Sequence, residues 1–179
     1  MLSVEESQKR AREIGITPYV AELNVSRVLL HNPTLAHALD NLLQTLMTKN
    51  QVPSRLRELI ILRTAWRTAS EYEFMRHVIR SRELEIPEQD ILGVRDPDTC
   101  PSYSAIDRAV IKLADELNDN AVASPETWQI LEKNFPPEQL LELVFAQGQW
   151  RMFASFFNTS KVPLDADTAS GWPEGRKPR

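Results

Sequence analysis

The chain has 179 residues, of which 42% are hydrophobic and 26% charged, and its net charge is −4. This length suits one domain with a buried core, and the composition excludes a disordered or fibrous protein. The acidic balance, with no Lys/Arg run interleaved with aromatic residues, argues against nucleic-acid binding.

No apolar run reaches the roughly 18 residues that a membrane span needs, and the segment MLSVEESQKR lacks the apolar core of a signal peptide. We therefore expect a cytoplasmic protein without membrane contact. Cys100 is the single cysteine, which excludes an internal disulfide and a dithiol redox pair. His31, His37 and His77 are not spaced as metal ligands, so we expect neither a metal nor a cofactor.

Helix start signals recur along the chain, whereas strand-like alternation is hard to find, so the sequence predicts an all-α fold. Ser3 with Glu6, Asn32 with Pro33, and Ser70 supply predicted helix starts in the first half. The predicted helices there cover residues 3–14, 18–31, 33–48, 54–68 and 70–85, and the helix at 33–48 carries a leucine stripe.

The second half begins after a predicted loop at 96–102, which follows a short helix opened by Pro87. Predicted helices start at Ser104 with Asp107, at Ser124 with Pro125, and at Pro136–Pro137, and the last reaches about residue 158. We expect residues 1–165 to form a single domain with its core motif at 53–85. Residues 166–179 are predicted to be a polar tail or exchanged arm with Trp172 as a candidate anchor.

The helix at 54–68 contains the first candidate for chemistry. Advancing each residue by about 100° places Glu58 in the middle of an apolar arc that also contains Arg55 and Trp66. A carboxylate there has to be paired, neutral or facing a cavity. It is either a structural ion pair, for example with Arg55, or a carboxyl whose raised pKa lets it deliver a proton near neutral pH.

The segment ASEYEFMRHV at residues 69–78 contains the second candidate. Glu73 and His77 are four residues apart on one helix face, so the carboxylate could orient the imidazole and raise its basicity. The alternative is a capping box in which Glu73 only satisfies the backbone N–H at Ser70.

Read together, RELIILRTAWRTASEYEFMRHV resembles the signature segment of the carboxymuconolactone decarboxylase family, which includes the alkyl hydroperoxidase D proteins. RVLLHNPTLAHAL before it and LLELVFAQGQWRMFASFFNTSKVPLD near the end also resemble that family. The resemblance covers residues 18–165 and implies an alkyl hydroperoxidase D-like helical bundle that forms a homo-oligomer, as a dimer, trimer or hexamer.

The hydroperoxidase branch of this family carries a Glu, eleven residues, and then Cys-x-x-Cys-x-x-x-His. Its glutamate falls on Glu58, its cysteines on Ser70 and Glu73, and its histidine on His77. Both thiols are therefore missing, and thiol peroxidase chemistry needs an attacking and a resolving thiol. The decarboxylase branch resembles the chain at Tyr72, Glu73 and His77, but more often has Trp-Gly-Gln where residues 74–76 are Phe-Met-Arg.

The resemblance implies a cofactor-independent lyase or isomerase that acts by Glu/His acid–base chemistry on a small unsaturated acid, lactone or polyketide-like compound. We expect Glu58 as the buried acid, His77 as the base or proton relay, and Glu73 as its orienting partner. Arg55 is the first candidate for a substrate carboxylate clamp. The candidate substrate-binding residues are Arg55, Trp66, Ser70, Tyr72, Arg76 and Trp150.

Two alternatives stay open at this point. One is a peroxidase-related protein that uses Cys100. The other is a non-catalytic assembly protein that kept the fold, which a filled core around Glu58 with an ion pair would favour.

Overall fold

A computed structural model describes residues 1–178, without the side chains of residues 18 and 19. It contains helices and no strand over these residues, which confirms the predicted all-α class. The helices are α1 (Val4–Glu13), α2 (Pro18–Glu22), α3 (Asn24–Leu29), α4 (Pro33–Thr48), α5 (Ser54–Arg67), α6 (Glu71–Glu83), α7 (Glu88–Gly93), α8 (Ala105–Asn120), α9 (Pro125–Asn134) and α10 (Pro137–Ser160). Short 3₁₀ turns lie at Pro97–Thr99 and Pro173–Gly175.

The local start signals behave as the sequence predicts at most helices. The side chains of Ser3, Asn32 and Ser124 each accept a backbone N–H in the first turn of the following helix. Ser104 and Asp107 form a reciprocal capping box at the start of α8. These side chains satisfy donors that would otherwise be unpaired, so the helix boundaries follow from the sequence there.

One predicted helix is divided in two, and one predicted side-chain cap is not formed. The single helix expected at 18–31 is broken at Leu23, whose backbone is extended with ψ 139°. The Asn24 N–H at the start of α3 donates to the Asp165 carboxylate at 2.7 Å, a contact between distant parts of the sequence. Ser70 precedes α6 but makes no side-chain cap.

The chain divides into two compact units. The first contains residues 1–50 and 160–167, and its core is formed by Ala11, Ile16, Ala21, Leu30 and Ala36. The second contains residues 51–159 and 168–178, and it holds all the candidate site residues.

Helix α5 is the centre of the second unit. Every residue from Leu56 to Trp66 is buried, so the helix has no solvent-facing side over these three turns. Helices α6, α7 and α8 pack against α5. The side of α5 opposite Glu58 is therefore buried as well, and Arg57 and Arg63 are only 3% and 8% exposed.

Helix α10 lies antiparallel to α6 in the same unit. Two contacts define this direction, because Tyr72 packs on Phe157 whereas His77 contacts Trp150. The buried side chains of α10 include the aromatic rings of Trp150, Phe153 and Phe157, and the last two rings stack with centroids 5.7 Å apart.

Candidate functional site

The turn between α5 and α6 brings the two candidate helices together. It contains Ala69, whose φ of 51° lies in the left-handed region that favours glycine. The Ser70 N–H then donates to the carbonyl of Ala65 at 2.9 Å and closes the turn. The chain folds back so that α6 packs along α5.

Glu58 and His77 meet across these two helices. The Nδ1 atom of His77 lies 2.7 Å from Oε2 of Glu58, and the Glu58 side chain is fully buried. The imidazole keeps 14% of its side-chain surface exposed. The structure thus pairs His77 with the glutamate nineteen positions earlier, and not with Glu73 one turn away as the sequence predicts.

Arg57 is the second partner of Glu58. Its Nε and Nη2 atoms lie 3.3 and 3.2 Å from Oε1 of Glu58, so each carboxylate oxygen has a donor. Burial raises the pKa of the Glu58 carboxyl, but His77 and Arg57 together outweigh it and hold that pKa below its usual value. The predicted proton-delivering Glu58 with a raised pKa is therefore wrong, because the carboxyl is ionised and paired.

Trp150 occupies the other side of the imidazole. Its indole Nε1–H donates to Nε2 of His77 at 2.8 Å, and the two rings meet edge to face with centroids 5.6 Å apart. An indole N–H can only donate, so Nε2 must be the acceptor and carry no proton. Nδ1 therefore carries the proton and donates it to Glu58, which assigns His77 as the neutral Nδ1–H tautomer.

Glu73 is isolated although it is deeply buried. Its exposure is 2%, and neither carboxyl oxygen has a hydrogen-bond partner among the described residues. Burial raises the pKa of the Glu73 carboxyl well above its usual value, because desolvation disfavours the charged form. The carboxyl that contacts the imidazole is therefore that of Glu58, and the predicted contact between Glu73 and His77 is not formed.

The hydroxyl groups of Ser70 and Ser81 resemble the Glu73 carboxyl in lacking a hydrogen-bond partner among the described residues. Ser70, Glu73, His77 and Ser81 are spaced by three, four and four residues, so they form one stripe along the helix. Both serines are fully buried, and the described residues offer no partner to either hydroxyl oxygen. Buried polar atoms are normally paired, so this stripe is a place where a polar ligand would find unused donors and acceptors.

Arg55, the predicted clamp for a substrate carboxylate, binds two carboxylates of the protein itself. The Arg55 guanidinium binds Asp90 through Nη2 at 2.8 Å and also binds Asp107. Both aspartates are buried, so Arg55 neutralises two carboxylates that would be costly alone. Arg55 is therefore a structural residue that joins α5 to α7 and α8, and its assignment as a substrate clamp is wrong.

The remaining predicted substrate-binding residues are dispersed. Tyr72 is 5% exposed and packs against Phe157 with centroids 4.8 Å apart. Trp66 is covered by Trp172, whose ring meets it edge to face at 5.4 Å. Arg76 is half-buried, and its Nη1 lies 3.5 Å from the Thr168 hydroxyl. Of the six predicted residues, Trp150 contacts the Glu58–His77 pair directly and Ser70 shares the helix stripe.

Sequence reasoning did not connect Arg57 with Glu58, and it placed Ser81 on the face of Glu73 and His77 without giving it a role. The helical projection placed Arg57 opposite Glu58, but its long side chain reaches back to the neighbouring carboxylate because no solvent is available on its own side. Ser81 continues the spacing of Ser70, Glu73 and His77, and that spacing was the signal available for finding it.

Cys100 lies in a different environment. It is buried at 5% exposure, and its Sγ contacts the Ser102 hydroxyl at 3.2 Å and the Gln89 carbonyl at 3.6 Å. Over the described part of the chain, no group of three or more His, Cys, Asp or Glu side chains is arranged to hold a metal ion. No helix of that part is long and apolar enough to cross a membrane.

A family model and several solved structures are similar to this chain. Residues 33–116 match the family model described as the carboxymuconolactone decarboxylase family. No curated protein sequence matches the chain.

Solved structures share the fold at low sequence identity. A protein of unknown function from Agrobacterium tumefaciens, linked in its description to the antioxidant defence protein AhpD, has a TM-score of 0.73 at 19% identity and covers 78% of this chain and 97% of its own. A peroxidase-related protein from Silicibacter sp. has a TM-score of 0.75 at 15% identity. The match covers 91% of this chain and 84% of that protein. A peroxidase-related protein with an alkylhydroperoxidase AhpD core, from Ralstonia eutropha, has a TM-score of 0.74 at 17% identity. The match covers 91% of this chain and 85% of that protein.

Structures this distant establish the fold alone. The family match covers α4 to most of α8, and therefore includes Glu58, Ser70, Glu73 and His77. Residues 33–116 are thus similar to the carboxymuconolactone decarboxylase family, and the described chain has an AhpD-like all-α fold.

Proposed function

We propose that this protein is a cofactor-independent lyase or isomerase that moves a proton on a small unsaturated acid, lactone or polyketide-like compound. The observation that carries the proposal is the 2.7 Å hydrogen bond between the buried Glu58 carboxylate and Nδ1 of His77. A buried carboxylate behind an imidazole fixes the tautomer and stabilises the imidazolium that forms when Nε2 takes a proton.

In this proposal His77 is the base, and Nε2 is the reacting atom. Nε2 carries no proton and accepts the Trp150 N–H at 2.8 Å. A substrate C–H or O–H has to replace the indole there before it can transfer its proton. Trp150 thus acts as a placeholder that keeps Nε2 unprotonated until the substrate arrives.

Glu73 is the proposed acid. It lies one helical turn before His77, where Cβ atoms are about 5–6 Å apart. As a neutral carboxylic acid it can donate a hydrogen bond to a carbonyl oxygen of the substrate while His77 takes a proton from the adjacent carbon. This division of work needs one neutral and one ionised carboxyl, which is the pattern of Glu73 and Glu58.

Thiol chemistry at this site is not supported. Ser70 and Glu73 occupy the positions where the peroxidase branch has its two cysteines, and neither side chain can form a disulfide. Cys100 contacts Ser102 and Gln89 rather than any residue of the Glu58 and His77 pair.

The test is turnover by variants at the paired residues. We expect His77→Ala and Glu58→Gln each to lower kcat on a substrate found by screening lactones and enolisable acids by about 100-fold or more, because proton transfer contributes roughly that factor. His31→Ala, which removes an exposed histidine outside the site, should leave kcat unchanged. Full turnover by folded His77→Ala protein would contradict the assignment.

A non-catalytic protein is the second candidate, and one observation favours it. Both ring nitrogens of His77 are already bonded, and Glu58 lies in a filled, ion-paired position. In that case the screen finds no substrate, and Trp150→Phe changes no activity. Under the enzymatic proposal Trp150→Phe leaves Nε2 open and changes KM.

A further inference from the structure

A second site is suggested by a cleft on the far end of α5. Its cavity volume is about 740 Å³, within the range of small-molecule sites. Five of its eight lining residues are cationic, whereas Asp96 is the one carboxylate in the described part of that wall. The cations are Arg63, Arg67, Arg95, Arg176 and Lys177. This concentration of cations contrasts with a chain whose net charge is −4.

One wall of the cleft is made by residues 168–178, which we call the C-terminal strap. Trp172 of the strap packs on Trp66 and Phe74 with centroids 5.4 and 5.1 Å away. Its Gly171 N–H donates to Glu71 at 2.9 Å. These contacts hold the strap on the second unit and bring its last cations to the end of α5.

Two of the arginines are fully used as structural donors. Arg63 makes a two-point ion pair with Asp115 at 2.6 and 2.9 Å and also donates to the Val94 carbonyl. Arg95 donates to the Leu92 carbonyl and to the strap, where Glu174 lies 2.8 Å away. They contribute positive potential and rigidity, but not free donors.

The other three cations keep donors available. Arg67 uses its Nη2 on Asp119, and Arg176 uses its Nη2 on Asp96, while their side chains are 35% and 47% exposed. The Arg176 guanidinium lies over the Trp66 ring at 5.9 Å, which fixes its direction. Lys177 has no partner among the described residues and is exposed.

We propose that this cleft binds a small organic dianion, either a phosphate monoester or a dicarboxylate. After the arginines are matched with Asp115, Asp119, Glu174 and Asp96, Lys177 is left as an unbalanced charge, and free guanidinium N–H groups flank it. Guanidinium groups bind phosphate and carboxylate oxygens through paired hydrogen bonds. The site is separate from Glu58 and His77 and does not depend on their function.

Isothermal titration calorimetry with glycerol 3-phosphate and with succinate tests this, using the full chain at low ionic strength. We expect saturable one-to-one binding of at least one probe. The double variant Arg176→Gln with Lys177→Gln should bind about tenfold more weakly or worse, because it loses charge-assisted hydrogen bonds. The control Lys9→Gln with Arg12→Gln removes the same charge from exposed side chains of α1 and should bind within about twofold of the wild type.

Each outcome decides the proposal. Glycerol 3-phosphate binding alone identifies the phosphate-monoester class, and succinate binding alone identifies the dicarboxylate class. The cleft is not an anion site if neither probe binds. It is also not a specific site if the control variant weakens binding as much as the double variant, since general electrostatics would then explain it.

Discussion

Glu58 and Glu73 are the same type of residue and lie near each other in sequence, but their hydrogen bonding differs. His77 and Arg57 donate to Glu58 and lower the pKa of its carboxyl, whereas burial raises the pKa of Glu73, whose carboxyl has no hydrogen-bond partner among the described residues. Their pKa values are therefore driven apart by their partners rather than by their position on a helix. Separated pKa values of this kind are what distinguishes an acid from a base within one site.

Glu73 has a measurable effect on stability. Its pKa is raised in the folded protein, so its contribution is favourable below the unfolded value of roughly 4.3 and is lost as the pH rises from there. We expect Glu73→Leu to be more stable than the wild type at pH 7 by about 1–3 kcal/mol, because it removes a buried unpaired group. Urea unfolding at pH 4.5 and pH 7 measures both values.

The matched control is Glu13→Leu, which replaces an exposed glutamate at the end of α1. Its stability should differ from that of the wild type by less than about 0.5 kcal/mol at either pH. Glu73 would be paired rather than isolated if Glu73→Leu were the less stable protein at pH 7.

At the scale of elements, the turn from α5 to α6 sets the site. Glu58 and His77 meet only because the chain reverses within residues 68–70. The reversal requires a left-handed backbone conformation at Ala69, which is unfavourable for a residue with a Cβ atom.

Replacing Ala69 by glycine removes that penalty. We expect Ala69→Gly to leave the protein as stable or more stable by up to about 1 kcal/mol, measured as the shift of the denaturant midpoint. Ala38→Gly, at an exposed position within α4, should instead lose about 1 kcal/mol. Equal losses in both variants would show that the turn is not strained at Ala69.

The elements were largely predictable from the sequence because their signals are local. Caps such as Ser3, Asn32 and Ser104 act within one turn, so the helices begin where the sequence indicates. Leu23 was not predictable, since the break there is fixed by Asp165, far away in the sequence. The all-round burial of α5 was missed for a related reason, because a helical projection assumes one solvent-facing side.

At the scale of the whole molecule, the residue pattern in the sequence did not predict which side chains contact each other in the second unit. Glu58, Glu73 and His77 are all buried or nearly so in the second unit. Which glutamate reaches the imidazole depends on how α6 packs on α5, and which atom caps Nε2 depends on α10. Such tertiary contacts have no signature in residue spacing, and Arg55 was misassigned for the same reason.

The central claim is that Glu58 and Trp150 hold His77 as a neutral imidazole with its proton on Nδ1 and a bare Nε2. Two-bond ¹H–¹⁵N correlation spectra of the ring at neutral pH test it most directly, with His77→Ala used for assignment. We expect a protonated, Glu58-bonded Nδ1 and an unprotonated Nε2 in the wild-type ring. A proton on Nε2 of the wild-type ring would contradict the account.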